Sequence, residues 1–225
     1  MSNARAVAVA SLAALLLGVA LMLALHVVPP TSEISPVRRT LSQYALGPNK
    51  WVFDVSVLLI ALGSALGLAL LVRHRVVRPW SGTVFFGALW TLSLLVIVYF
   101  TKTDWSVGPS ISGLVHRYAS VVAFVSLPLA VLLAAGAAFA GRPGWRLAAR
   151  GFAVLSLAQF CVILVGVVRM SAGGGPWWRF VPLGLVERGI TFSGVAAITI
   201  LVLGVALGAA ARPAGNSEDV LRAAV

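Results

Sequence analysis

Six apolar runs, each long enough to cross a bilayer as a helix, occupy most of this 225-residue chain. A helix of about 20 apolar residues spans the hydrocarbon core, where every backbone polar group must be satisfied within the segment. These runs therefore predict an all-α fold, a polytopic membrane protein built as a bundle of six transmembrane helices. The expected spans cover about 6–28, 51–72, 80–100, 111–140, 147–170 and 189–211. Domain organisation follows as one transmembrane domain over 1–211 and a polar cytoplasmic tail over 212–225, expected to fray. The first run is too long for a signal peptide and ends in Pro29 and Pro30 without a small-residue cleavage pattern, so it reads as a retained helix.

Composition agrees. The chain is 60% hydrophobic and 10% charged, against about 25% charged in soluble domains. The net charge of +11 does not indicate nucleic acid. The basic residues are scattered over loops and helix ends, where arginines snorkel toward lipid headgroups, and they form no dense tract with interleaved aromatics. Membrane lipids are the expected partner. The single cysteine, Cys161, lies mid-span and has no CxxC mate.

Short basic turns orient the bundle. Arg73, Arg75 and Arg78 follow the second run, and Arg142, Arg146 and Arg150 follow the fourth, with no acid among them. The positive-inside rule places such turns, and with them both termini, in the cytoplasm of a bacterial plasma membrane. The other end also carries cations, among them Arg38, Arg39, Lys50, Lys102, Arg117 and Arg188.

Two close-packing motifs stand out. Gly63 and Gly67 on the second span, and Gly204 and Gly208 on the sixth, have the GxxxG spacing that lets helix backbones approach. They predict tight contact between these two helices, or a homodimer or partner-subunit interface.

The ionisable residues gather on one side. Under this topology His26, Glu33, Asp54, Asp104, His116 and Glu187 all fall at or near the outer face. Charged groups inside an apolar layer face protein or water and find partners. Arg117 paired with Glu187 or Asp54 is the expected structural pairing. A local echo reinforces the pattern: Gly113-Leu-Val-His116-Arg117 opens the fourth span and Gly184-Leu-Val-Glu187-Arg188 leads into the sixth.

Carboxylates and a histidine at one interface can ligate a metal or serve as general acid and base. The candidate catalytic residues are His116, Asp104, Glu187 and Asp54. Candidate binding residues are Glu33, Ser42, Tyr44, Arg117 and Arg188. No HxxxH or HExxH spacing is present, and neither metal nor cofactor is specified. Gln159, mid-span, is expected to make an interhelical hydrogen bond, and Trp51, Trp80, Trp105, Trp177 and Trp178 to anchor span ends at the interface.

Three stretches carry a resemblance: SPVRRTLSQYALGPNKWVFDVSVLLIALGSALG, YFTKTDWSVGPSISGLVHR and GLVERGI. In them the chain resembles the bacterial integral membrane family known as "domain of unknown function 998", over about Leu21 to Leu207. The matching positions are Ser42, Gly47, Thr103, Asp104, His116, Glu187 and Arg188; Asp54 stands where many relatives carry Asn. The resemblance implies a six-helix membrane protein and supplies no activity. Three functions remain open: an enzyme acting on a lipid or lipid-linked substrate with His116 as base, a non-catalytic sensor or assembly subunit, and a small transporter.

Overall fold

The computed structural model of the chain describes residues 3–210, so the expected tail over 212–225 lies outside the described residues. The long helices are α1 (Asn3–Ala24), α2 (Lys50–Arg73), α3 (Gly82–Tyr99), α4 (Ile111–Ala138) and α5 (Pro143–Ser171). A four-residue helix, α6 (Trp177–Phe180), precedes α7 (Leu183–Ala210). Six of these are long and apolar enough to cross a membrane. The protein is an all-α, multi-pass membrane bundle.

Helix ends fall where backbone chemistry puts them. α1 stops at Ala24, short of the prolines, and the His26 ring closes its end by bonding the Met22 carbonyl through Nδ1 at 2.9 Å. α5 starts at Pro143, earlier than expected, since proline at the first helical position loses no hydrogen bond. α4 runs unbroken through the buried Pro128. α7 begins six residues before the expected Gly189: the Pro182 carbonyl accepts from the amides of Leu185 and Val186 and starts the helix there. Glu187 and Arg188 therefore stand inside the first turns of α7, not ahead of it. Asn49 occupies the N-cap position of α2 but does not cap it; its amide nitrogen donates instead to the Pro29 carbonyl at 3.2 Å.

The helices close a ring in which each packs on the next, from α1 through α5 to α7 and back to α1. α7 also touches α2 and α4, which makes it the best-covered helix. In lipid, helix association rests on close packing and interhelical hydrogen bonds, not on hydrophobic transfer. The α1–α2 seam shows how. Ser11 Oγ donates to the Gly63 carbonyl at 2.6 Å, and Ser56 Oγ donates to the Gly18 carbonyl at 2.7 Å. Each helix thus carries a serine seven residues before a glycine, and the antiparallel pair clasps reciprocally. A Cβ on Gly18 or Gly63 would come within 2.9 Å of the facing carbonyl. On α5 and α7, Gln159 donates to Ser193 Oγ at 3.0 Å, the interhelical bond expected of it.

The four motif glycines are all filled within the chain. Gly63 meets α1, Gly67 meets Val202 of α7, Gly204 meets Phe139 and Trp145, and Gly208 meets Arg142. Trp51, Trp80, Trp105 and Trp178 stand exposed at or beside helix ends, whereas Trp90 is buried and donates to Ser64 Oγ at 3.0 Å.

Because the spans alternate in direction, one end of the bundle collects the C-termini of α1, α3 and α5 with the N-termini of α2, α4 and α7. That end carries three connections: 172–182, which holds α6, and the two that bear most of its polar residues, 25–49 and 100–110.

Candidate functional site

Connections 25–49 and 100–110 dock on the bundle by one repeated device, which explains the echo in the sequence. In Gly184-Leu-Val-Glu187-Arg188, the absent Cβ of Gly184 leaves room for the carbonyls of Pro36 and Arg39. Glu187, three residues on, accepts the amide of Leu41 through Oε2 at 3.1 Å. Arg188, four residues on and hence on the same face, grips the loop. Its Nη1 faces the carbonyls of Pro36 at 2.9 Å, Arg39 at 2.8 Å and Gly184 at 3.0 Å. Its Nη2 donates to Tyr44 Oη at 2.9 Å and its Nε donates to His26 Nε2 at 2.8 Å.

The second copy works on the shorter connection. Gly113 leaves room for Thr103, whose backbone and side chain fill the space a Cβ would take. His116, three residues on, bonds the Phe100 carbonyl through Nδ1 at 2.8 Å. Arg117, four residues on, lies over the Trp105 ring, 5.6 Å from its centroid. Glycine seats the loop, the third residue bonds its backbone, and arginine clamps it.

One difference between the copies is chemical. Arg188 and Glu187 both bond the 25–49 connection. His116 is 4% exposed, and its Nε2 is buried without a hydrogen-bond partner among the described residues. With Nδ1 facing a carbonyl, Nδ1 carries the proton and Nε2 is a bare acceptor.

Lys102 links the two halves. It leaves the backbone between Phe100, at His116, and Thr103, at Gly113. Its ammonium donates to Thr40 Oγ1 at 2.6 Å and Gln43 Oε1 at 3.0 Å, both neutral acceptors on the long connection. Three N–H groups are available and these use two. Burial pushes its pKa below the ordinary lysine value of 10.5, with the nearby Glu187 charge opposing the shift. The one ion pair among the described residues lies elsewhere, between Lys50 and Asp54 one helical turn apart.

The residues singled out from sequence divide accordingly. Glu187, Arg188 and Tyr44 come together where the long connection docks on α7; Ser42 lies on that connection, its Oγ 3.2 Å from Thr40 Oγ1. His116 joins them through the Phe100–Thr103 strip and Lys102. Asp104, Asp54, Glu33 and Arg117 stand apart. Asp104 is exposed and turned on Ser106, whose hydroxyl and amide hold its carboxylate below the usual range. Glu33 is exposed on a short 3-10 turn. The expected pairs of Arg117 with Glu187 and with Asp54 do not form: Trp105 takes Arg117, Leu41 takes Glu187, and Lys50 takes Asp54. Lys102, Thr40 and Gln43 were not singled out. The available signal was a lysine between two threonines with no acid one helical turn away.

Among the described residues no group of three His, Cys, Asp or Glu side chains could hold a metal ion. Two apolar clefts lie at mid-bundle, around Trp90 and Leu127.

Fold and site together define a six-span helical membrane protein with one polar end covered by its own connections. The chain belongs to the family described as "Protein of unknown function (DUF998)", which matches residues 9–206. Searches among curated proteins and solved structures returned no significant match.

Proposed function

We propose that the covered polar end binds a lipid or lipid-linked substrate with an anionic headgroup, at the outer face of a bacterial plasma membrane. One observation carries the reading: His116 Nε2 is a buried acceptor left open, at the same end of the bundle where Lys102 has a donor to spare. Burying a polar atom without a partner costs about 1–3 kcal/mol, and such atoms mark places where something else supplies the bond. A headgroup anion meets the third N–H of Lys102, and a headgroup hydroxyl donates to His116 Nε2. The same geometry suits proton abstraction from that hydroxyl, the role of a general base. Glu187 offsets the charge of Lys102 and fixes the loop that holds it. Arg188 positions the loop. The basic turns at the opposite end support the outward orientation.

The test is lipid retention. The native chain, extracted in native nanodiscs, is to be analysed by mass spectrometry for co-purifying lipids. An anionic lipid enriched over the bulk membrane, and lost from folded His116→Leu and Lys102→Met chains, is the expected result. A lipid profile identical to bulk in all three sinks the reading.

A further inference from the structure

The His26–Arg188 contact has a polarity that only one protonation state satisfies. Arginine has five N–H donors and no acceptor. His26 Nε2, 2.8 Å from Arg188 Nε, must therefore present its lone pair. His26 Nδ1, 2.9 Å from the Met22 carbonyl, must present its hydrogen. The ring is a neutral imidazole locked in one tautomer by partners on both sides. A second proton has one place to go, Nε2, and there it meets a guanidinium hydrogen head-on.

We infer that His26 is a proton-operated pin for the 25–49 connection, holding it on α7 while neutral and releasing it when Nε2 is protonated. The groups packed about the ring decide the outcome. From α7 comes Arg188 itself; its neighbour Glu187 has its carboxylate turned to the Leu41 amide. From the connection comes Tyr44, fully buried, edge-on to the His26 ring at 5.4 Å and bonded through Oη to Arg188. From α1 comes the Met22 carbonyl, which is neutral. Among the described residues the partner of Nε2 is Arg188, not an acid that would welcome an imidazolium. Protonation sets two cations against each other at the point where Arg188 holds Pro36, Arg39 and Tyr44 together.

Release has a defined consequence. The same connection supplies Thr40 and Gln43 to Lys102 and the Leu41 amide to Glu187. Lifting it uncovers both charged groups, so mild acid opens the polar end. This rests on the geometry of His26 and stands whether or not His116 binds a ligand.

Hydrogen exchange of the full chain in lipid nanodiscs tests it, followed by mass spectrometry on peptides spanning 36–46 and corrected for intrinsic rates. On going from about pH 8 to about pH 5, opening of this segment in the native chain rises at least about tenfold. In a His26→Gln chain, whose side-chain carbonyl accepts from Arg188 and does not titrate, protection is the same at both pH values. A His116→Gln chain responds like the native one, which separates this pin from the binding site proposed above. If the glutamine chain does not fold, His26→Asn serves as the neutral acceptor, and the native comparison stands without either. Equal protection of the native segment at both pH values, or the same acid loosening in the His26→Gln chain, overturns the inference.

Discussion

The carboxylate of Glu187 accepts the amide of Leu41 at 3.1 Å, and this bond fastens the longest connection of the protein to its most buried helix. It joins residues far apart in the chain and buries both groups. Removing the carboxylate leaves an amide unpaired and Lys102 without its nearest compensating charge. Glu187→Ala is expected to destabilise the folded chain by about 2–4 kcal/mol, and Glu187→Gln, which keeps an acceptor, by about 1 kcal/mol. Thermal unfolding in detergent measures both; equal Tm values for the two variants would contradict the assignment.

The glycine seats make a sharper contrast. A Cβ at Gly113 collides with Thr103, and one at Gly184 with the carbonyls of Arg39 and Pro36, backbone that cannot yield cheaply. A Cβ at Gly47 or Gly144 meets nothing within 4 Å. Gly113→Ala and Gly184→Ala are each expected to cost about 1–3 kcal/mol and to raise exchange in the connection they seat. Gly47→Ala and Gly144→Ala should do neither, by the same thermal and exchange measurements.

Lys102 gives stability an alkaline dependence. Its folded pKa is lowered by burial, so between that value and 10.5 the unfolded chain binds more protons than the folded one. Stability then rises with pH through this window. The gain is complete above 10.5 and is lost as pH falls through the depressed folded value, below which the buried charge weakens the fold. The Tm difference between the native chain and a Lys102→Gln chain should therefore shift in favour of the native chain as pH rises. A difference that stays constant through the alkaline range would refute this.

Orientation is open to direct labelling. In a Cys161→Ser background, Glu33→Cys and Asp104→Cys are expected to react with an impermeant maleimide from outside intact cells, and Arg75→Cys only after lysis. Reaction of the first two from opposite sides would break the proposed topology.

Much of the bundle was legible from run length alone, because hydrocarbon leaves the backbone few choices. α7 starts ahead of the expected apolar run because the Pro182 carbonyl already accepts helical amides from Leu185 and Val186. The absence of the Arg117–Asp54 pair has a cause the sequence contains, since Asp54 has Lys50 one helical turn before it; the absence of the Arg117–Glu187 pair does not, since the Leu41 amide that takes Glu187 comes from a distant loop. The partners of Arg188 were not legible. They are backbone carbonyls and a histidine brought in by the path of a long connection, and no spacing rule encodes that path. The echo of the two Gly-Leu-Val motifs is visible in the sequence, but its meaning, a seat and a clamp, depends on the path of the loops they hold.

The most direct test of a ligand at the polar end is a high-resolution structure of the chain in native-lipid nanodiscs. The account predicts headgroup density within hydrogen-bond distance of both His116 Nε2 and Lys102 Nζ. A protein side chain or a lone water on His116 Nε2, with no headgroup at Lys102, would contradict it.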